Sequence, residues 1–362
     1  IAVTSTAIFK NGARKTRTAE LKNHRIGSMI CMERSNRDHT STMTAPELTA
    51  IGEEPNSIGG SFIIRGVRWA VGNIESITHN QFHVHRNMYM NEIVRGTFLS
   101  KPGDAFENSY QCILRLLNNY AITMELTTNR NEKFDVPFYL IFRALGMTRD
   151  RDIIDNIVYG VDGTDTVTRR MKQILNQSFE VSDPKFSSIQ RSTDPAEIIQ
   201  FLGFKINDAA NTTAARKDEN VLKYLNNNVL NVLDKYTFPH IGVTPEHRIR
   251  KLRFLGHLIQ TMLRVELGIM DSTDRDSYKN KRVFTAGTSL AKTFKTDFNY
   301  TVVQAIRRQL QKDFKAITFS DINFVDSIKQ AINSDDLERL MTQSVSSGNK
   351  TITIRRNEIL NR

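Results

Sequence analysis

The segment from Asp271 to Arg282, DSTDRDSYKNKR, has the residue types that could most readily bind an ion. It mixes the carboxylates of Asp271, Asp274 and Asp276 with four basic side chains and almost nothing apolar. Carboxylate oxygens are ligands for Mg²⁺ and Ca²⁺, but basic neighbours offset the negative charge that such a site needs. The calcium-loop pattern is also broken, because a glycine at its sixth position and a closing glutamate are missing. The sequence therefore favours a phosphate-binding loop or a solvated loop over a metal site.

Basic residues continue well beyond this loop. Between Asp274 and Lys315 there are ten Lys or Arg residues and only four acidic ones. A loop and a helix that share one charge sign can follow a phosphate backbone, and five phosphate contacts would give a salt slope of about −4.5. Charged faces are more often only solvated. Composition alone therefore leaves both nucleic-acid contact and a solvated surface open.

The other candidate sites are incomplete in the sequence. His83 and His85 are two residues apart in FHVH, so a strand would turn both imidazoles to one face, as in some zinc sites. No third ligand follows in a usable pattern, and we predict that they form the polar face of a half-buried strand. Neither a G-x-x-x-x-G-K-[ST] loop nor a G-x-S-x-G elbow occurs. We therefore expect no catalytic residues in this chain.

Length and composition set the protein class. A chain of 362 residues predicts two or three domains. Its net charge of +11 favours a polyanionic partner, with nucleic acid ahead of an acidic protein or an anionic membrane. Two cysteines, Cys31 and Cys112, indicate a reducing compartment. No apolar run approaches the roughly 20 residues of a membrane span, and the missing initiator methionine suggests part of a longer protein.

The elements that must position these residues change in type along the chain. Strand patterns dominate the first hundred or so residues, at GGSFIIRG, QFHVHRNMYM and EIVRGTFLS, with a further strand at YAITMELTT. From Asp135 onward, helical patterns replace them. This order of strands followed by helices predicts an α+β protein with at least two lobes.

Two helices have clear start signals. Asp194 and Pro195 begin one helix, which we expect to end at Gly203. Thr244 and Pro245 begin the other in the same way. Residues at helical spacing in this second helix should face a core, namely Leu252, Leu255, Ile259, Met262 and Leu263.

The last third of the chain is predicted to be helical. A long amphipathic stretch runs from Ser289 to about Ile317. Two shorter helices follow near Phe324–Ile332 and Asp336–Val345, and we expect Asp335 to cap the second.

Five sequence blocks spread over almost the whole chain match motifs of one family. GEEPNSIGGSFIIRG (52–66) is similar to G-E-x-P-x-D-x-G-G-Y-F-I-I-x-G, and FDVPFYLIFRALGMTRDRDIIDNIVYG (134–160) is similar to I-P-I-x-x-x-F-R-A-L-G-x-x-x-D-x-x-I. YTFPHIG (236–242) is similar to L-P-H-x-G, while SSGNK and ILNR near the end are similar to A-T-G-N-W and V-L-N-R. The opening segment is similar to D-D-R-D-H-x-G-N-K-R followed by L-D-x-A-G, with matches at Asp274, Arg275, Asp276, Asn280, Lys281, Arg282, Ala286 and Gly287 and departures at Thr273, Ser277 and Lys279. In this order the blocks resemble the second-largest subunit of multisubunit DNA-dependent RNA polymerases.

The resemblance implies a specific division of an α+β fold. Residues 1–86 and 283–346 would form a β-rich and helical protrusion domain. Residues 87–282 would form an inserted, mainly helical lobe, and 347–362 would begin the fork. The departures from the motifs point toward the polymerase of a large DNA virus. The implied location is the nucleus or the cytoplasm, or the virion or host cytoplasm for a viral enzyme.

The resemblance also implies a role in transcription. Protrusion and lobe would wall a cleft for double-stranded DNA, and the fork would reach toward the RNA–DNA hybrid. The partners would be the largest polymerase subunit, which carries the catalytic Mg²⁺, and smaller subunits, with no membrane and no cofactor in these residues. The residues expected to bind nucleic acid are Lys281, Arg282, Lys350, Arg355, Arg356 and Arg362. Those expected to hold the lobe–protrusion junction are Asp274, Arg275, Asp276, Asn280 and Gly287, with the acids paired to the loop's own bases.

Two other functions are consistent with the residues. One is a free-standing basic nucleic-acid-binding or virion structural protein without a catalytic role. A reading frame that continues for several hundred residues past Arg362 would exclude it. The other is a surface on the lobe for an acidic protein, which would lack the steep salt dependence of phosphate binding.

Overall fold

The structure is a computed structural model that describes residues 2–8, 14–89, 91–103, 108–127, 133–160, 165–181, 183–206, 218–316, 323–347 and 351–353. The strands are β1 (Ala2–Ile8), β2 (Arg14–Glu20), β3 (Ser61–Ile64), β4 (Val67–Val71), β5 (Ile74–Ile77), β6 (Phe82–Tyr89), β7 (Glu92–Ser100), β8 (Tyr110–Leu117), β9 (Ile122–Thr127), β10 (Lys133–Pro137), β11 (Lys281–Phe284) and β12 (Thr351–Thr353). The helices are α1 (Ala45–Ala50), α2 (Phe138–Ala144), α3 (Asp150–Ile157), α4 (Thr166–Glu180), α5 (Pro195–Ile206), α6 (Glu219–Asn231), α7 (Arg248–Glu266), α8 (Ala286–Phe298), α9 (Gln304–Ala316), α10 (Phe324–Ala331) and α11 (Ser334–Ser346). The α+β prediction is confirmed.

The chain divides into two units. Unit 1 contains residues 1–76 and 283–362, and unit 2 contains residues 77–282. The chain therefore leaves unit 1 once, builds the whole of unit 2, and returns. None of the helices in the described ranges is both long and apolar enough to cross a membrane.

Unit 2 is built on a five-stranded antiparallel sheet with the strand order β10-β9-β8-β7-β6. Along β7 every second residue from Val94 to Ser100 is buried, as expected for a strand with one face against a core. Helices α2 to α7 share that core, and the predicted inward residues of α7 are all buried, which confirms them: Leu252, Leu255, Ile259, Met262 and Leu263. The sheet leaves β6 as an edge strand.

A buried lysine connects α7 to the end of α6. A π-helical turn, Val232–Tyr236, follows α6. The Nζ of Lys251 donates to the backbone oxygens of Leu233 at 3.2 Å, Thr237 at 2.7 Å and Asp234. Lys251 is only 1% exposed, so this ammonium group satisfies carbonyls that the end of a helix leaves without partners.

Unit 1 contains smaller sheets and a helical cluster. β3 and β4 form a hairpin with β12 on the outer side of β4. Its turn residues, Arg65 and Gly66, both have positive φ (51° and 77°), as a two-residue hairpin of type I′ requires. β1 pairs with β2, and β11 pairs with β5. A second core forms between α9 and α10 from Val302, Ile306, Leu310, Phe324 and Ile328.

Four predicted helix boundaries differ from the structure. Helix α7 begins at Arg248, and the residues at its predicted start, Pro245–His247, form a separate 3₁₀ turn. Gly203 does not end α5, which continues to Ile206, because the missing side chain lets the helix lie against Leu225 of α6. The cap of α11 is Asn333, not Asp335, since the Asn333 side chain accepts from the backbone N–H of Asp335. The predicted amphipathic stretch is α8 and α9, joined by a π-helical turn, Asn299–Val303.

Candidate nucleic-acid interface

Asn280 organises the loop that carries the basic residues of the opening segment. Its side chain is 1% exposed. Asn280 Nδ2 donates to the backbone oxygen of Asp274 at 2.6 Å, and Asn280 Oδ1 accepts from Gln81 Nε2 at 2.9 Å. The Asn280 carbonyl accepts from the backbone N–H of Thr78 at 2.9 Å. A buried amide with both ends bonded fixes a loop more firmly than exposed charges could.

Thr273 attaches the same loop to the edge strand β6. Its backbone N–H donates to Val84 O at 2.8 Å, and its hydroxyl accepts from Val84 N at 3.2 Å. The loop thereby uses backbone groups of β6 that an edge strand leaves without partners. Threonine at this position, where the resembled motif has aspartate, supplies a hydroxyl acceptor for this contact.

The predicted polar face of the β6 histidines is wrong for His83. This imidazole is only 2% exposed, and His85 is half-buried. Burial lowers the pKa of His83, and the nearby charge of Arg275 lowers it further. The loop folds along this strand edge, which the alternation of residues in β6 alone could not indicate.

One acidic side chain of the loop, that of Asp274, accepts a hydrogen bond from the backbone. Asp274 Oδ1 accepts from the backbone N–H of Asp276 at 2.9 Å. In the loop and the rest of the described chain, no basic side chain lies within 4.0 Å of the carboxylates of Asp271, Asp274 or Asp276. The expected pairing of these acids with the loop's own bases is therefore wrong. The described residues also contain no group of three or more His, Cys, Asp and Glu side chains that could hold a metal ion.

The predicted nucleic-acid residues of the loop lie at its end. Lys281 is half-buried, with its Nζ 5.5 Å from the centre of the Tyr278 ring, and Arg282 is exposed on β11. Tyr278 is itself 78% exposed. Arg275 is exposed beside the loop acids, and Gly287 lies in the first turn of α8 with open space around it. The other predicted residues, Lys350, Arg355, Arg356 and Arg362, lie outside the described residues.

A second group of basic residues follows in unit 1 along α8 and α9. All six are exposed, and we call them the basic face: Lys292, Lys295, Arg307, Arg308, Lys312 and Lys315. The acids of these two helices, Asp297 and Asp313, are half-buried, and Asp313 accepts from Gln309 Nε2 at 3.1 Å. From Lys292 to Lys315 the helices rise by about 35 Å, at 1.5 Å per residue. This length of positive surface is comparable with a turn of duplex DNA.

Tyr300 adds an aromatic ring to the basic face. It is 58% exposed and sits in the π-helical turn, with the guanidinium carbon of Arg308 5.1 Å from its ring centre. Rings of this kind stack on nucleic-acid bases, and arginine adds a cation–π contact. Tyr300 was not among the residues predicted from the sequence, although an aromatic residue inside a basic helical stretch was a usable signal.

Two of the motif blocks have structural roles in unit 2. Arg143, in the FRALG block, is 4% exposed and donates to Gln190 O at 2.7 Å and to Asp150 Oδ1 at 2.6 Å. His240, in the YTFPHIG block, lies between aromatic rings and is hydrogen-bonded to Ser100 Oγ at 2.8 Å. These blocks hold the fold of unit 2 together.

Comparison with known proteins points to one family. Residues 123–284 match the family described as RNA polymerase Rpb2, domain 2. The chain is 28% identical over 287 residues to the DNA-directed RNA polymerase subunit Rpo2 of Sulfolobus acidocaldarius, covering 79% of this chain and 23% of that protein. It is 22% identical over 346 residues to subunit Rpo2N of Methanothermobacter thermautotrophicus strain Winter, covering 94% of this chain and 63% of that protein.

A eukaryotic relative shows the same pattern. Over 286 residues the chain is 27% identical to the DNA-directed RNA polymerase II subunit RPB2 of Encephalitozoon cuniculi. That match covers 78% of this chain and 23% of the relative. The chain thus spans about a quarter of the length of the full-length relatives, and somewhat less than two thirds of Rpo2N.

Proposed function

We infer that this chain belongs to the second-largest-subunit family of multisubunit DNA-dependent RNA polymerases, and from that premise we propose that it walls a DNA cleft during transcription. In this role it contacts template DNA and the RNA–DNA hybrid as part of a nucleotidyltransferase assembled with a largest subunit and smaller subunits. The chain itself supplies no catalytic residue, and the Mg²⁺ ions belong to the largest subunit. The observation that carries the proposal is the basic face, six exposed cations with no exposed acid on α8 or α9.

The two units have separate parts in this proposal. Unit 2, which contains most of the residues that match the Rpb2 domain 2 family, is the lobe. The first segment of unit 1 and its return through α8 to α11 form the protrusion, and residues 347–362 begin the fork. With this assignment the lobe begins at residue 77, and β6 is part of it. The assembled enzyme works in the nucleus or the cytoplasm.

Charge distribution supports nucleic acid as the partner of the basic face. Exposed cations release counterions when they meet phosphates. Arg308 is partly organised before binding, since its Nε donates to Gln304 O at 3.2 Å and its guanidinium lies over Tyr300. An organised arginine loses less side-chain entropy on contact with a phosphate. The face therefore suits a phosphate backbone with a base stacked on Tyr300.

The salt dependence of DNA binding tests the proposal. Anisotropy of a labelled duplex is measured against salt for the full chain and for the triple variant Arg308→Gln, Lys312→Gln, Lys315→Gln. We expect the magnitude of the slope to fall by about 2.7, at about 0.9 per lost phosphate contact. The matched control removes three exposed charges from unit 2 with Lys185→Gln, Arg191→Gln and Arg250→Gln. Equal slopes for the two triple variants would contradict the assignment of DNA binding to the basic face.

The fork residues need a separate test in the assembled enzyme. Neutralising Lys350, Arg355, Arg356 and Arg362 together is expected to reduce transcript elongation, because these charges would lie nearest the hybrid. The measurement is the length of transcripts formed on a defined template at several salt concentrations. Unchanged activity and salt tolerance would remove the fork assignment and leave the proposal for the basic face intact.

A further inference from the structure

Unit 1 contains a cleft that the proposed function does not use. Its volume is about 440 Å³, within the range of protein ligand pockets. The lining combines carboxylates with apolar side chains: Glu33, Asp38, Glu53 and Glu54 on the acidic side, and Met43, Leu48, Ile51 and Ile63 on the apolar side. Cys31, Arg34, His39 and Thr40 complete it.

The walls of the cleft are fixed by backbone hydrogen bonds. Glu33 N donates to Ser61 O at 2.8 Å, and Gly60 N donates to Glu33 O at 3.0 Å. Arg34 Nη2 donates to the carbonyls of Glu54 and Pro55, each at 3.3 Å. The Arg34 guanidinium thus stabilises the wall of the cleft through its hydrogen bonds to these two carbonyls.

The apolar wall exposes large side chains. Ile63 projects from β3 on the side opposite to Phe62 and Ile64, which are buried, and is itself 53% exposed. Ile51, at the end of α1, is 51% exposed. Exposed aliphatic side chains grouped in a concave site mark contact surfaces more often than isolated ones do. An occupant with apolar side chains would remove both from water.

The carboxylates of the acidic wall differ in how far other groups of the protein already bind them. Glu33 accepts from the hydroxyls of Ser57 at 2.9 Å and Ser61 at 2.5 Å, and lies 3.4 Å from Arg68, so its carboxylate is fully used. Glu54 is exposed, and only its backbone oxygen is bonded among the described contacts. Glu53 lies 3.5 Å from Arg68, with a third of its side chain accessible. The cleft is therefore acidic on a chain of charge +11, which disfavours a phosphate polymer.

We propose that this cleft binds an extended segment of a partner protein that presents a lysine or arginine between large apolar side chains. The cation would meet Glu54 and Glu53, and its apolar neighbours would cover Ile51 and Ile63. Charge complementarity selects this occupant over nucleic acid. The site is independent of the basic face and of DNA binding.

Cys31 makes the proposal testable by disulfide exchange. It is exposed and lines the cleft. The other cysteine, Cys112, is buried, and burial raises the pKa of its thiol to about 12, so it does not react under the same conditions. A peptide that ends in a glutathione mixed disulfide is attacked by the Cys31 thiolate. The peptide becomes disulfide-bonded to Cys31 and glutathione leaves as the thiolate, so no oxidant is consumed.

Two probe peptides are compared on the full chain in a glutathione buffer. They are acetyl-Leu-Lys-Leu-Gly-Cys-amide and its counterpart with glutamate in place of lysine, each as the glutathione disulfide. Capture at equilibrium is measured by intact mass spectrometry. We expect the lysine peptide to be captured up to about fivefold more, the range of an exposed ion pair. Equal capture of the two peptides would overturn the proposal.

Variants locate the effect in the cleft. Glu54→Gln removes an exposed carboxylate and should reduce the preference for lysine, while Ile63→Ser should reduce capture of both peptides. Glu338→Gln, an exposed carboxylate outside the cleft lining, is the control and should change neither. A lysine preference that is undiminished in Glu54→Gln, or capture blocked by a single-stranded oligonucleotide, would overturn the proposal. Dimerisation of the chain that Ile63→Ser abolishes would assign the cleft to a second copy and also overturn it.

Discussion

Gln81 and Asn280, 199 positions apart in the chain, are joined by a hydrogen bond of 2.9 Å between Gln81 Nε2 and Asn280 Oδ1. One residue lies just after the start of unit 2 and the other just before its end. The same asparagine binds the Asp274 carbonyl, so one buried amide holds both the loop and the closing point of unit 2. Its importance comes from buried hydrogen bonding, whereas most of the charged residues around it, such as Asp276 and Lys279, are exposed.

Replacing Asn280 should destabilise unit 2. Asn280→Ala leaves the Asp274 carbonyl and the Gln81 amide without this partner, at a cost of about 2 kcal/mol in free energy of unfolding. Urea unfolding of the variant and of the wild type measures the difference. Lys279→Ala, an exposed neighbour in the same loop, is the control and should change stability by less than about 0.5 kcal/mol. Equal stability of the two variants would show that the buried hydrogen bonds of Asn280 do not stabilise unit 2.

Two glycines should respond to alanine in opposite directions. A Cβ at Gly256 in α7 would lie 3.0 Å from the backbone oxygen of Asn156 in α3 and even closer to the Asn156 side chain. Gly256→Ala should therefore cost about 1–3 kcal/mol through overpacking. Gly287→Ala in α8 meets open space and should stabilise by roughly 0.5 kcal/mol. Thermal unfolding measures both, and a stabilising Gly256→Ala would show that α3 and α7 can separate at no cost.

The free energy of unfolding should fall as the pH decreases through the range in which His240 is protonated in the unfolded state only. Its ring lies about 5 Å from those of Phe98 and Phe254, and burial, with the charge of Lys251, lowers its pKa from 6.5 to about 4. The unfolded state therefore binds a proton between about pH 6.5 and pH 4 that the folded state does not. Native stability from this group is present above pH 6.5 and is lost progressively toward pH 4, by roughly 2 kcal/mol for a partly exposed ring.

The variant His240→Gln isolates this contribution. Glutamine can keep the hydrogen bond to Ser100 but does not titrate, so the variant should lose less stability than wild type on acidification. His83 and His85 also have pKa values lowered by burial and act in the same direction in both proteins. Denaturant midpoints at several pH values measure the difference. Parallel curves for variant and wild type down to pH 4 would refute the assignment.

Lys251 should be essential for the end of α6. Lys251→Met keeps the chain length but leaves three buried carbonyls, those of Leu233, Asp234 and Thr237, without their donor. The expected loss is roughly 3 kcal/mol. Arg250→Met, on the exposed side of the same helix, is the control for the change of residue type. Hydrogen exchange of amides in α6 should accelerate in Lys251→Met only, and unchanged exchange would show that water replaces the ammonium group.

Residue patterns predicted much of the local structure. Glycine turns around Phe62–Ile64 and alternation in EIVRGTFLS indicated β3 and β7, and helical spacing indicated the buried side of α7. These features depend on neighbours within a few positions in the chain. The basic character of α8 and α9 was likewise visible, because exposed charges need no partner to be recognised.

Long-range contacts and a change of helical phase could not be predicted. His83 is buried on a strand to which a loop nearly two hundred residues later bonds, through Thr273 and Val84. At 100° per residue, Tyr300 and Arg308 would lie about 80° apart around a regular helix. The π-helical turn between α8 and α9 changes that phase, and the ring and guanidinium meet. No local pattern indicated the turn.

The bond between Thr78 N and Asn280 O has a mechanical consequence. The chain enters unit 2 at residue 77 and leaves it after residue 282, and this bond of 2.9 Å closes the gap between the two ends. Tension that pulls these ends apart acts on the β5–β11 pairing and then on the Thr78–Asn280 and Gln81–Asn280 bonds, before it reaches the five-stranded sheet of unit 2. Unit 2 is therefore protected from a pull along the backbone by a short set of hydrogen bonds at its two ends, and Asn280 makes the innermost of them.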